Sequence, residues 1–261
     1  MVVFRFSAKH IFVFTFIIGL LSGCNDPKNE QVLLIAASAN TQFAIKKIIQ
    51  KFTKTTGIRC ELIVGSSGKH TAQILQGAPY HIFLSADQKY PKLINNNGLT
   101  SEPPVTYGYG QLVLWTTNKK IEATIENITS TTVKRIAIPD PDLAPYGEAA
   151  MDVLNYYQIY ERVKPKLVFA ESVSQVNHFV LTGAVGLGFT SLSTVIAKNT
   201  KDKGRWLQVP SISYKPIAQD AVLITKNNTE IEASKKFMEF IISDEAGKIL
   251  KNFGYLLPGS L

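Results

Sequence analysis

Val32-Leu33-Leu34-Ile35-Ala36-Ala37-Ser38-Ala39-Asn40-Thr41 is the stretch from which the fold can be read. Its first six residues form an unbroken apolar run. That is the pattern of a strand covered on both faces in a parallel sheet, not the alternation of a half-exposed one. The run gives way to Ser38, Asn40 and Thr41, whose short polar side chains suit the start of a helix. Phe43, Ile45, Ile48, Ile49 and Phe52 then recur at helical spacing, and Gly57 is placed to close that helix.

The same rhythm continues downstream. A strand is predicted over 58–64. Gly65-Ser66-Ser67-Gly68 leads into a helix carrying Ile74 and Leu75, Gly77-Ala78-Pro79 ends it, and a third strand follows over 81–86. After Tyr107-Gly108-Tyr109-Gly110 comes a strand over 111–115, and a second series begins. It has strands over 135–138, 167–169 and 186–190, with helices over 146–158 and 174–181. A strand over 221–224 and an amphipathic helix over 232–242, with Phe237, Phe240 and Ile241, return to the first series. The expectation is two α/β lobes, 32–109 with 219–261 and 110–218, joined by crossovers near Gly110 and Ala218.

The residues ahead of Val32 read differently. Arg5 and Lys9 precede an apolar run from Ile11 to Leu21, too short to span a bilayer comfortably, so 1–23 is predicted to be an export signal. It ends in Leu21-Ser22-Gly23-Cys24, which resembles the bacterial lipobox, with Cys24 as the lipidated first residue of the mature chain. Residues 24–31 would then be a polar tether between the lipid and the folded part. The expected location is the periplasm or the outer face of the cell membrane. With Cys24 lipidated, Cys60 has no disulfide partner and is expected to be a buried, inert thiol.

Composition narrows the function. The chain has 261 residues, 45% hydrophobic and 18% charged, which is ordinary for a globular protein. Its net charge of +8 comes from scattered lysines such as Lys46, Lys47, Lys51 and Lys54, without the clustered basic and aromatic residues of a nucleic-acid surface. His70, His81 and His178 lack zinc-ligand spacing, and no cofactor or direct metal ligand is expected.

The chemistry is expected at four turns, each rich in small neutral residues and each opening a helix: Ser38-Ala39-Asn40, Gly65-Ser66-Ser67-Gly68, Pro145-Tyr146-Gly147 and Glu171-Ser172-Val173-Ser174. A helix N-terminus offers unpaired N–H groups and partial positive charge, so converging N-termini make an anion site without lysine or arginine. Gly65-Ser66-Ser67-Gly68-Lys69-His70 is not a nucleotide phosphate loop. That loop needs four residues between its glycine and the Gly-Lys pair, with Ser or Thr following.

These motifs resemble the periplasmic molybdate-binding proteins of ABC transporters. The resemblance is carried by Ala36-Ala37-Ser38-Ala39-Asn40, Gly65-Ser66-Ser67-Gly68, Gly77-Ala78-Pro79 and Phe83-Leu84-Ser85-Ala86-Asp87-Gln88. Asp140-Pro141, Ala144-Pro145-Tyr146-Gly147, Glu171-Ser172-Val173 and Gly186-Leu187-Gly188-Phe189 extend it. It implies a two-lobed type II periplasmic-binding-protein fold that closes on molybdate or tungstate and delivers it to a permease, as a monomer and not as an enzyme. Position by position, it implies ligand contacts from Ala39, Asn40, Ser67, Tyr146 and Val173. One branch of the family adds a tyrosine hydroxyl where this chain has Phe189. Asn40 and Tyr146 together resemble another branch. Two other readings stand beside this one. An enzyme acting on a small phosphorylated or acyl substrate would need an acid–base pair at the cleft, for which Asp140 and Asp142 are the candidates. A ferric-ion binder would use tyrosines such as Tyr107, Tyr109, Tyr156 and Tyr157.

Overall fold

The computed structural model describes residues 32–259, so the predicted signal 1–23, the tether 24–31 and Cys24 lie outside the described residues. The opening stretch folds as its pattern requires. Val32–Ser38 is strand β1, Ala39–Thr41 is a single 3-10 turn, and Gln42–Thr56 is helix α1. Gly57 ends α1 in the left-handed conformation at φ 74°, where a side chain would be strained, and its N–H donates to the Thr53 carbonyl at 2.9 Å. There follow β2 (Arg59–Gly65), α2 (Ser67–Leu75), β3 (Ile82–Leu84), α3 (Lys89–Asn96) and β4 (Val105–Gly110).

After Gln111 the chain enters its second series. This comprises β5 (Leu112–Thr116), α4 (Ile125–Ile128), β6 (Ile136–Pro139), α5 (Pro145–Tyr156), α6 (Tyr160–Val163), β7 (Leu167–Ala170), α7 (Val173–Leu181), β8 (Leu187–Ser191), α8 (Leu192–Val195) and β9 (Arg205–Gln208). The return is made by β10 (Ile217–Leu223), α9 (Ile231–Ile241) and α10 (Asp244–Asn252).

Two five-stranded mixed sheets result, one in each lobe. The first has the order β2-β1-β3-β10-β4 and the second β7-β6-β8-β5-β9. In both, a core of three parallel strands is extended through antiparallel pairings by two more, so that only β10 in the first sheet and β5 in the second run against the rest. The chain passes between the sheets twice, once through Gln111 and once between Gln208 and Ile217. The central strands β1, β3, β5, β6 and β8 are apolar and almost wholly buried because helices cover both faces.

The helical periodicity of α1 explains its docking. Ile45, Ile48 and Phe52 point into the first-lobe core, where the Phe52 ring meets Phe237 of α9 edge-on at 5.1 Å. Each such side chain contributes about 1.5–3 kcal/mol on burial. Lys46, Lys47 and Lys54 of the same helix face solvent. In the second lobe Trp115 is wholly buried and its indole N–H donates to the Lys203 carbonyl at 2.7 Å. Cys60 is a half-buried free thiol on β2, pushed up to about 12 by burial, which keeps it protonated and unreactive.

Candidate functional site

Parallel strands leave their helix-opening turns at one edge of the sheet, and here the two sheets bring those edges together. The turns after β1, β2, β6 and β7 line a single cavity. Ala39, Asn40, Ser67, Tyr146 and Val173, predicted from four separate turns, all lie on its wall, each no more than 3% exposed. The cavity is small, about 10 Å³, on the order of one water-sized sphere. Among the described residues no charged side chain lines it.

Each turn has a local reason for its shape. The Thr41 hydroxyl donates to the Ser38 carbonyl at 2.7 Å and tightens the first turn. Gly65 ends β2 where an added Cβ would meet the His70 ring at 2.8 Å, so this position can only be glycine while the imidazole packs beneath it. The Asp140 carbonyl accepts from the N–H groups of Leu143 and Ala144, and its carboxylate accepts from the Asp142 N–H, shaping the loop before α5. Pro145 then starts α5 at the position where a missing N–H costs nothing. Ser172 caps α7 by accepting from the Gln175 N–H. Ser67, Tyr146 and Val173 stand in the first turns of α2, α5 and α7, where N–H groups have no partner within the helix.

Two serines join the predicted set. The Ser67 hydroxyl accepts from the Ala86 N–H at 3.1 Å and lies 2.5 Å from the Ser38 hydroxyl. If Ser38 donates in that pair, the Ser67 hydrogen is left to point into the cavity. Ser66 also lines the cavity, and its buried hydroxyl has no partner among the described residues. Ser38 and Ser66 belong to the turn motifs Ser38-Ala39-Asn40 and Gly65-Ser66-Ser67-Gly68. Sequence alone gives no means of deciding which hydroxyl of Ser66-Ser67 turns inward. Phe189 is wholly buried in β8 and offers no donor.

Contacts between the lobes surround the cavity. The Gly68 N–H donates to the Leu143 carbonyl at 2.9 Å, the Tyr90 hydroxyl to the Asp142 carbonyl at 2.7 Å, and the Ser193 hydroxyl to the Asn40 carbonyl at 2.6 Å. Lys69 pairs with Glu171 at 2.7 Å and Lys89 with Glu148 at 3.3 Å. Both ion pairs are solvent-exposed and contribute little, so the buried hydrogen bonds define the fit. Asp140 and Asp142 serve the loop through backbone bonds. The Tyr107 hydroxyl donates to the Ser85 carbonyl, Tyr109 pairs through its backbone with Leu256, and Tyr156 and Tyr157 pack on each other.

Asp87 adjoins the site, following Ala86. Burial raises its carboxyl to about 6, against partial relief from the Ser85 hydroxyl and the Tyr90 N–H, and Oδ2 is buried without a partner among the described residues. The folded value lies above the unfolded one, so the native state holds the proton more tightly. Asp87 therefore lowers stability above about pH 6, and that cost fades as pH falls toward 4. Asp87→Asn is expected to raise the melting temperature at pH 7.5, with a gain on the order of 2–3 kcal/mol. Melting curves of both proteins from pH 4 to 8 should converge at the acid end. A constant difference would contradict this origin.

A family model described as bacterial extracellular solute-binding protein matches residues 33–256. The molybdate-binding protein ModA of Rhodobacter capsulatus is 37% identical over 240 residues, covering 92% of this chain and 94% of that protein. Among solved structures, the periplasmic molybdate-binding protein of Azotobacter vinelandii matches with a TM-score of 0.82 at 33% identity, over 87% of this chain and 99% of that one. The sulfate-binding protein SubI of Mycobacterium tuberculosis, at 12% identity and a TM-score of 0.71 over 88% of each chain, shares the fold. The chain therefore belongs to the bacterial extracellular solute-binding proteins, a family of binding proteins and not of enzymes, and within it resembles the molybdate-binding protein ModA.

Proposed function

We propose that this protein captures molybdate, and tungstate with it, outside the cytoplasmic membrane and delivers it to the permease of an ABC transporter. The observation that carries the reading is a compact interlobe cavity walled by helix N-termini and hydroxyls, with no charged side chain. The relatives named for molybdate point to the same ion. Molybdate, tungstate and sulfate carry no proton near neutral pH, so a wall of donors suits them. Hydrogen phosphate brings a donor of its own, and leaving it unmatched costs about 1–3 kcal/mol. The donors come from Ala39, Asn40, Ser67, Tyr146 and Val173. Charge-assisted hydrogen bonds contribute roughly 1.5–3 kcal/mol each. Six or so supply the 8–12 kcal/mol, on the order of micromolar to nanomolar binding, that remains after association costs.

The lobes 32–109 with 219–261 and 110–218 close on the ion, since it touches both only when they meet. Export of 1–23 and lipidation of Cys24 hold the monomer at the membrane surface through the tether 24–31. The test is Ser67→Ala titrated with molybdate. Loss of one charge-assisted donor is expected to weaken binding by at least about 1 kcal/mol, roughly fivefold. Unchanged affinity would remove Ser67 from the site.

A further inference from the structure

An anion site made of backbone N–H groups brings a second demand. The peptides of the same turn also carry carbonyl oxygens, which must be held away from the ion. A buried carbonyl turned away needs donors where it points. The first turn, Ala39–Thr41, meets this demand at Asn40. Its backbone carbonyl accepts two hydroxyl hydrogens, from Ser193 at 2.6 Å and from Tyr255 at 3.0 Å, one for each lone pair. All three residues are no more than 3% exposed, and neither Ser193 nor Tyr255 lines the cavity. A carbonyl can only accept, so the Ser193 hydrogen is committed to it. The Ser193 oxygen is left to accept from the Ser191 hydroxyl at 2.9 Å.

Neither donor comes from the turn itself. Tyr255 follows α10 in the first lobe. Ser193 belongs to the second lobe and is the second residue of α8. The preceding Leu192 N–H donates at 2.9 Å to the carbonyl of Gln111, the residue through which the chain first passes between the sheets. On its other side Leu192 packs on Gly254, where an added Cβ would come within 2.6 Å of the leucine side chain. Ser193 is thus fixed beside a crossover, close to where the lobes pivot.

We propose that Ser193, reaching across from the second lobe, is a positioning residue for the anion. Together with Tyr255 it holds the Asn40 carbonyl behind the cavity, so that the first turn presents its N–H groups to the ion and no carbonyl oxygen. The first lobe's part of the site is then incomplete without the second. It is also preset before the ion arrives, because the bond lies beside the crossover and not at the parting edges of the lobes. Without these hydroxyls the Asn40–Thr41 peptide is free to rock, and an oxygen swinging toward the cavity repels an oxyanion. The inference rests on the oxyanion reading above.

The test compares Ser193→Ala and Tyr255→Phe with a control, Thr190→Val. The control removes an equally buried hydroxyl of the second lobe that bonds Asn177 and does not line the cavity. Each protein is titrated with molybdate, melted without ligand, and examined without ligand by NMR at the Thr41 amide nitrogen, which shares a peptide with the Asn40 carbonyl. Ser193→Ala and Tyr255→Phe should each lower molybdate affinity about fivefold or more. Both should move the Thr41 signal upfield, since a carbonyl that loses a donor leaves its peptide less polarised. Thr190→Val should lower the melting temperature comparably, with affinity within twofold of the parent and Thr41 unmoved. Ser193→Ala affinity within twofold of the parent would overturn the proposal. So would an equal loss of affinity in Thr190→Val, which would trace the effect to lowered stability alone. Failure of the parent to bind molybdate would instead sink the oxyanion reading. The Thr41 signal needs no ligand, and if it stays unmoved in Ser193→Ala the carbonyl is not anchored there.

Discussion

Gly147→Ala is expected to lower molybdate affinity on the order of a hundredfold and to destabilise the fold at the same time. A Cβ at Gly147 would lie 2.2 Å from the Pro139 carbonyl oxygen and 2.8 Å from both the Asp140 carbonyl carbon and the Pro141 nitrogen. All three are backbone atoms, at the end of β6 and the start of the loop to α5, so no side chain can swing aside. The start of α5 must move off the end of β6. Overpacking of this kind costs about 1–3 kcal/mol of stability. The movement also carries the Tyr146 N–H away from the cavity, and losing one charge-assisted bond of roughly 1.5–3 kcal/mol accounts for a hundredfold change. Calorimetry with molybdate and a melting curve check the two parts separately. Wild-type affinity in this variant would mean that the N-terminus of α5 does not hold the ion.

Gly68→Ala should separate binding from stability in the opposite way. Gly68 is the second residue of α2, and inside a helix alanine is favoured over glycine by about 1 kcal/mol. Its Cβ would, however, meet the Tyr90 hydroxyl, the tip of a side chain in the same lobe that can swing aside, at 2.8 Å, and across the lobe boundary the Leu143 backbone at 3.1 Å. The 2.9 Å hydrogen bond from the Gly68 N–H to the Leu143 carbonyl would be wedged open. The first lobe should therefore fold at least as well as before, while the two lobes cannot meet fully around the ion. Molybdate affinity is expected to fall tenfold or more through faster dissociation, with a melting temperature equal to or above that of the parent. Stopped-flow dissociation and a melting curve measure both. A parallel loss of stability would point to damage within the lobe rather than at its boundary.

Much of this architecture was legible because each element carried one unambiguous signal. The apolar run of β1, the periodicity of α1 and the glycine closing it agree with one another, and the structure follows them. Elements whose signal was mixed were missed. β4 reads Val-Thr-Tyr-Gly-Tyr-Gly, where glycines interrupt the strand pattern, yet it pairs with β10 across five registered positions. β9 is a largely exposed edge strand, Arg-Trp-Leu-Gln, and edges need no apolar face. β10 begins at Ile217, upstream of the 221–224 segment, because Gln219 and Asp220 are buried polar residues satisfied or positioned by neighbours distant in sequence. The helices α3 and α10 were also passed over. For α10 the cue was present, since Ser243 caps it by accepting from the Ala246 N–H, ahead of Asp244 and Glu245.

The site was legible to a different depth. Small residues at strand-to-helix turns named all four walls, and the five predicted residues line one cavity. The second layer was not readable. Gln219 lies 179 residues from Asn40, Tyr255 lies 215 away, and Tyr107 looks like an ordinary core aromatic. Only the fold places them together. The same holds for Gly110, whose need for glycine arises from the Tyr146 phenol of α5, 36 residues on in the chain.

The most direct test of the central claim is calorimetric titration of residues 25–261 with molybdate, tungstate, sulfate and phosphate in turn. The account predicts tight one-to-one binding of molybdate and tungstate, with sulfate much weaker and phosphate weakest. Heats absent for all four ions would contradict it, leaving the two-lobed fold in place with a different ligand.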